Sequence, residues 1–112
     1  MSDARIQAEA DGLDISGPLT FATVAALEAR ARALVGNLPA RARVNLERVG
    51  RIDSAGVAFL VMLWRQAHRA GCRLVFEPVP EGLRPLLELY DLESIITDST
   101  GAAGAETPTS PV

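Results

Sequence analysis

Apolar and polar residues alternate in two short runs near the start of the chain. Residues 5–10 (RIQAEA) form the first run and residues 13–15 (LDI) form the second. Alternation of this kind is typical of a half-buried strand, and the Asp11-Gly12 pair between the runs accepts the positive φ values of a two-residue turn. The pattern therefore predicts an N-terminal β-hairpin whose second strand ends at Gly17-Pro18.

A helix is predicted to follow the hairpin. Thr20 can cap its start, and Gly36 lies just past its end. Its apolar residues recur three or four positions apart, as they do on one face of a helix. These residues are Phe21, Val24, Leu27, Ala31 and Leu34.

The remaining apolar runs predict two strands and two helices. Residues 44–49 (VNLERV) and 72–77 (CRLVFE) have the pattern of strands, and residues 52–71 between them are long enough for a capped helix. Residues 80–90 predict a third helix, in which Pro85 is tolerated only in the first turn. This order predicts an α/β fold, in which a mixed β-sheet of about four strands has helices packed against it.

Two segments are expected along the chain. A single domain is predicted over residues 1–98, ending in an apolar segment that contains Leu92, Ile95 and Ile96. Residues 99–112 (STGAAGAETPTSPV) are rich in Gly, Ala, Ser, Thr and Pro and offer little to bury. We expect them to form a disordered tail.

Composition narrows the possible functions. The net charge is −3, the eleven basic residues are all Arg, and aromatic residues make up 4% of the 112 positions, which argues against nucleic acid as a partner. A single cysteine, Cys72, excludes an internal disulfide and fits a reducing cytoplasm. No signal peptide or membrane-spanning stretch is evident, so a membrane connection is expected only through a partner.

The sequence offers little catalytic chemistry. One His and one Cys cannot form a zinc cage, and no Gly-rich phosphate loop is present. His68 and Cys72 are four residues apart, but Gly71 intervenes, and the prediction is a surface histidine and a small buried cysteine. We therefore expect no catalytic residue, no metal and no cofactor.

Asp53 and Ser54 lie where the long second helix begins. Both residue types are preferred helix caps, worth about 1 kcal/mol over alanine, and this structural role would suffice for any helix. However, Gly56 in the first turn costs roughly 1 kcal/mol relative to alanine, which suggests that something approaches the backbone closely there. Ser54 could also accept a phosphoryl group at the positive end of the helix, although the neighbouring Asp53 carboxylate opposes this.

The second helix is predicted to have one buried face and one outward face. At 100° per residue, the core arc contains Val57, Phe59, Leu60, Leu63, Trp64 and Ala67. The opposite arc carries Ala58, Met62, Arg65 and Arg69, with Ser54 at its edge. Such a stripe has the character of a protein-docking surface, and an ordinary solvated face is the alternative interpretation.

The run V-N-L-x-x-V-x-x-I-D-S-A-G-V, followed by an apolar helix, a glycine and a strand, resembles STAS domains. The resemblance covers residues 4–98 and implies the STAS fold. Within this superfamily the chain is most similar to the MlaB group, the cytoplasmic STAS subunits of bacterial phospholipid-transport ABC complexes. Residues 51–56 (RIDSAG) and 86–92 (LLELYDL) carry that similarity.

The resemblance implies a function for the outward stripe. The similarity to the MlaB group implies a non-enzymatic subunit that docks on the ABC ATPase. The residues expected at this contact are Asp53, Ser54, Ala55, Gly56, Ala58, Met62, Arg65 and Arg69. The alternative is an anti-sigma factor antagonist, in which a partner serine kinase phosphorylates Ser54. Here D-S-A-G replaces the D-S-S-G common in that branch. A third alternative is a module that binds a nucleotide or lipid, as a few STAS domains do. We rank it last, because no basic groove is evident in the sequence.

Overall fold

The computed structural model describes residues 3–92. Four strands and three helices follow one another in the predicted order. They are β1 (Arg5–Glu9), β2 (Gly12–Leu19), α1 (Val24–Val35), β3 (Arg41–Ile52), α2 (Ser54–Arg69), β4 (Arg73–Phe76) and α3 (Arg84–Leu89). The expected tail and the apolar residues Ile95 and Ile96 lie outside the described residues.

The four strands form one mixed sheet in the order β1-β2-β3-β4. β1 and β2 are antiparallel, whereas β3 is parallel to both of its neighbours, β2 and β4. Leu13 of β2 pairs with Val44 of β3, which pairs with Phe76 of β4, and all three side chains are fully buried. The predicted α/β fold with its N-terminal hairpin is confirmed.

The hairpin turn differs from the prediction. Glu9 pairs with Gly12, so the two loop residues are Ala10 and Asp11, and Gly12 does not have a positive φ. Instead, a Cβ at Gly12 would lie 1.8 Å from the carbonyl oxygen of Arg43 on β3. Glycine is required here because β2 and β3 approach closely.

The end of β2 was also predicted wrongly. The strand does not stop at Gly17-Pro18 but continues to Leu19, because Gly17 and Leu19 still pair with β3. Gly17 has a φ of +85°, and the register shifts on either side of it. The strand therefore bends rather than ends, since glycine permits this conformation at little cost.

The first helix begins later than expected. Thr23 is its N-cap residue, and Thr20 lies in a preceding turn, in which the Thr23 hydroxyl accepts the Thr20 N–H at 2.9 Å and donates to the Pro18 carbonyl at 2.8 Å. Phe21, predicted on the buried face, is 84% exposed in this turn. The prediction failed there because the turn's hydrogen bonds override the helical spacing of Phe21. The helix ends at Gly36 as predicted.

The core lies between the sheet and the helices. Leu27 and Ala31 of α1 and Leu60 and Leu63 of α2 are buried in one cluster with the apolar strand residues. The predicted core arc of α2 is confirmed, except that Trp64 is only partly buried and stacks on His68 with the ring centroids 5.1 Å apart. α3 begins at Arg84 rather than at residue 80 as predicted, and this later start places Pro85 in the first turn, the only position at which the sequence analysis allowed it.

Candidate functional site

Asp53 joins the start of α2 to the turn that precedes α1. Its Oδ1 accepts the N–H groups of Ala55 at 2.9 Å and Gly56 at 3.1 Å, and its Oδ2 accepts the N–H of Phe21 at 3.1 Å. These bonds, the one from Phe21 first, lower the pKa of the carboxyl group below its usual 3.8. Asp53 is therefore the helix cap, and its carboxylate is already engaged within the chain.

Ser54 is the first residue of α2, and its side chain is exposed. Because Asp53 provides the cap, the Ser54 hydroxyl is left without a hydrogen-bond partner among residues 3–92. The side chain opens to solvent at one end of the outward face of α2. It is thus accessible both to a partner and to a modifying enzyme.

Gly56 serves the chain's own packing. The residue is buried, and a Cβ on it would lie 2.2 Å from the carbonyl oxygen of Leu19 on β2 and 2.8 Å from Cγ1 of Ile52. The predicted close approach exists, but the approaching group belongs to the sheet. The prediction that Gly56 contacts a partner is therefore corrected, because this residue packs against the chain's own β2. Ala55 is half-buried beside it.

A groove runs along the outward face of α2 and has a volume of about 620 Å³. We call it the α2 groove. Arg32 of α1 lines it, as do Tyr90 and Leu92, which lie at and beyond the end of α3. α2 contributes most of the lining, including Ser54, Ala58, Val61, Met62, Arg65 and Arg69. The structure thus brings together the predicted stripe, but its role in binding stays a prediction.

The α2 groove combines an apolar lining with positive charge. Its three charged lining residues are Arg32, Arg65 and Arg69, and none of the described lining residues is Asp or Glu. Arg32 forms a salt bridge with Glu28 at 2.9 Å. Within residues 3–92, Arg65 and Arg69 have no carboxylate in salt-bridge distance. The groove is therefore locally basic on a chain whose net charge is −3, which corrects the expectation from the sequence that no basic groove is present.

Two exposed aromatic residues near this surface were not predicted as site residues. Tyr90, which lines the α2 groove, is 46% exposed, and Phe21 is more exposed still. The backbone bond from Phe21 to Asp53 places the Phe21 turn directly beside the start of α2. The signal that could have identified Phe21 is its place between Thr20 and Thr23, where a hydroxyl-stabilised turn competes with the helix.

The described residues hold few other candidate sites. Within residues 3–92, no three His, Cys, Asp or Glu side chains gather in a way that could hold a metal ion. Burial raises the pKa of the Cys72 thiol. No helix in this part of the chain has the length and apolar character needed to cross a membrane.

Comparisons with known proteins agree with this architecture. The family model described as Mlab, STAS domain matches residues 2–97. Among solved structures, the anti-sigma factor antagonist SpoIIAA in its unphosphorylated form is similar with a TM-score of 0.65 and 16% identity, covering 84% of this chain and 85% of that one. Its phosphorylated form, described as a Bacillus cell fate determinant, gives a TM-score of 0.60 and 19% identity over 84% and 88%.

A third solved structure shows a similar degree of likeness. An anti-sigma-factor antagonist (STAS) domain protein from Planctomyces limnophilus is similar with a TM-score of 0.63 and 20% identity, covering 85% of this chain and 87% of that one. At these identities, the structural likeness shows the fold. A comparison with curated proteins found no match.

Proposed function

The chain belongs to the MlaB family of STAS domains, and we propose that it is a non-enzymatic regulatory subunit that binds the ATPase of a phospholipid-transport ABC complex. The α2 groove is the proposed contact surface. One observation carries the proposal: an exposed hydroxyl, small and apolar side chains and two arginines without salt-bridge partners among residues 3–92 lie together on the outward face of α2.

The composition of this face suits binding rather than catalysis. The described side chains that line the α2 groove include no His, Cys, Asp or Glu that could serve as a general base for Ser54. Met62 is only partly buried, and methionine adapts its shape to a partner surface. Tyr90 adds a large amphipathic side chain of the kind enriched at protein interfaces.

A matched pair of substitutions tests the proposed surface. Ala58→Glu places a carboxylate in the α2 groove, whereas Ala33→Glu places one at an exposed residue of α1 that does not line the groove. We expect the wild type and Ala33→Glu to co-purify with the Mla-type ATPase of the same organism and Ala58→Glu to be lost from the complex. Failure of the wild type to bind would refute the proposed partner, and equal binding by all three would refute the proposed surface.

The Ser54 hydroxyl, which is exposed and has no hydrogen-bond partner in the described part of the chain, favours one second candidate, an anti-sigma factor antagonist switched by phosphorylation of Ser54. A phosphate there would meet the positive end of α2 but also the ionised carboxylate of Asp53. Incubation with the cognate serine kinase and ATP, followed by mass measurement, tests this candidate. A mass that does not increase, or an increase that survives Ser54→Ala, would eliminate it.

A further inference from the structure

We propose that the α2 groove receives an acidic amphipathic helix, whose carboxylates bind Arg65 and Arg69 while its apolar side chains pack on Val61 and Met62. The inference rests on the proposed function only for the identity of the protein that supplies this helix. The chemistry itself is argued from the charge, lining and length of the groove.

Charge complementarity selects an acidic occupant. Arg65 and Arg69 are exposed, one helical turn apart on α2, and without salt-bridge partners among residues 3–92. Among the described residues that form salt bridges, Arg32 alone lines the groove, and its partner is Glu28. Two carboxylates spaced i, i+4 on an incoming helix would match the spacing of the guanidinium groups of Arg65 and Arg69.

The apolar lining selects an extended occupant over a small anion. Val61, Met62 and Leu92 are partly buried hydrophobic residues that line the groove together with the two arginines. A phosphate or a single carboxylate would engage the arginines and leave this apolar surface exposed to water, which is unfavourable. A segment with one acidic edge and one apolar edge would use both parts.

Length and shape fit a helix. α2 has 16 residues, so its outward face is about 24 Å long at 1.5 Å per residue. Besides α2, the groove is lined by Arg32 of α1 and by Tyr90 and Leu92 near the end of α3. An amphipathic helix of about four turns laid into such a groove is a recurrent mode of peptide recognition. Arg65 and Arg69 are at the C-terminal half of α2, so the carboxylates of the occupant are expected at that end.

A pair of peptides tests the proposal on the full-length protein. Both are designed helices of about 16 residues with the same leucine face; one carries glutamates at two i, i+4 positions and the other carries lysines there. NMR titration of the labelled protein should show shifts of the Ala58 and Met62 amides with the glutamate peptide. Raising the salt from about 50 to about 500 mM should weaken that binding, because exposed charge pairs are screened.

Charge reversals supply the matched control. Arg65→Glu changes the charge inside the α2 groove, and Arg41→Glu makes the same change at an exposed arginine at the start of β3. We expect Arg65→Glu to weaken the glutamate peptide by about tenfold or more and Arg41→Glu to weaken it by less than about twofold. Thermal melts of both variants verify that they are folded, and Arg65→Ala provides the test if Arg65→Glu is not.

Several results would overturn the proposal. They are equal affinity for the two peptides, no effect of Arg65→Glu, or no binding of either peptide. Shifts of the same amides with vesicles of anionic phospholipid, but not with the glutamate peptide, would assign the groove to lipid headgroups instead. Shifts that depend on protein concentration alone would assign it to a second copy of the chain.

The peptide result and the ATPase result separate the two proposals. Binding of the glutamate peptide without ATPase co-purification would refute the proposed partner and leave the acidic helix supported. ATPase co-purification that is insensitive to Arg65→Glu, together with failure of the peptide, would refute the acidic helix and leave the proposed function supported.

Discussion

Gly56 lies where the first turn of α2 approaches the backbone of β2, and Gly56→Ala tests whether this contact sets the position of the helix. A Cβ there would be 2.2 Å from the Leu19 carbonyl oxygen, whereas ordinary contact begins at 3.4 Å. The helix and the strand would have to separate by about 1.2 Å. Leu19 is itself buried and paired with Ile52 of β3, so the strand cannot yield easily.

Two opposing effects determine the size of the change. Alanine in place of glycine favours a helix by about 1 kcal/mol. Forcing an additional methyl group into a packed site costs typically about 1 to 3 kcal/mol, and more when the obstacle is backbone. We expect the steric effect to dominate, with a net loss of about 2 kcal/mol in the free energy of unfolding and a melting temperature lower by roughly 10 °C for a domain of this size.

Urea denaturation followed by circular dichroism measures this loss directly. Gly50→Ala is the matched control, because nothing lies within 4 Å of a Cβ at Gly50 on β3; it should change stability by about 1 kcal/mol at most, in the stabilising direction. If Gly56→Ala is as stable as the wild type, or more stable, the close approach of α2 to β2 is wrong and the groove geometry built on it must be revised.

Further substitutions separate structural from functional residues. Leu63→Ala removes a fully buried side chain and should lower the free energy of unfolding by about 2 to 5 kcal/mol, whereas Ser54→Ala should change it by about 0.5 kcal/mol or less; equal loss in urea titrations would mean that Ser54 is structural. The Asp53 pKa is lowered in the folded protein, so its charge adds stability that is present above pH 3.8 and is lost as the pH falls through the folded pKa. Melting temperatures between about pH 2 and pH 7 should therefore fall less steeply at the acidic end for Asp53→Asn than for the wild type, and parallel curves would contradict this. Asp14 is 6% exposed, its Oδ1 has no hydrogen-bond partner among the residues that the structure describes, and its Oδ2 lies 3.7 Å from Nη1 of the exposed Arg48. Asp14→Asn should raise the midpoint of urea denaturation by an amount equivalent to about 1 kcal/mol, because less charge is buried; a lower midpoint would show that the Arg48 pair outweighs desolvation.

The apolar pattern was sufficient to predict the elements and their order. Each buried stretch has the period of its element, as in α2, where Val57, Leu60, Leu63 and Ala67 lie on one face and are buried. Pro85 was correctly restricted to the first turn of α3, because its missing N–H has no partner to lose there. These features depend on local sequence, which is why the sequence alone could identify them.

The errors concern glycines and turns whose conformation depends on distant residues. Gly12 and Gly17 were assigned to a turn and to a strand end, but they allow close approach to β3 and a bend within β2. Phe21 was assigned to a helix, although its N–H is held by Asp53, which is 32 residues away. Each outcome is decided by contacts between segments far apart in sequence, and a periodicity argument does not include such contacts.

Asp53 and Ser54 offered two interpretations in the sequence, a cap and an interaction site, and the structure assigns the cap to Asp53. The Asp53 carboxylate accepts N–H groups from both α2 and the Phe21 turn, so it fixes the helix start and the turn beside it. The Ser54 side chain is therefore exposed to solvent at the start of α2, which Asp53 already caps. If this division is correct, Asp53→Ala should weaken both stability and partner binding, since a cap is worth about 1 kcal/mol, whereas Ser54→Ala should weaken binding alone. Unfolding curves and ATPase co-purification on the same preparations check this, and a Ser54→Ala variant that binds normally would remove Ser54 from the proposed surface.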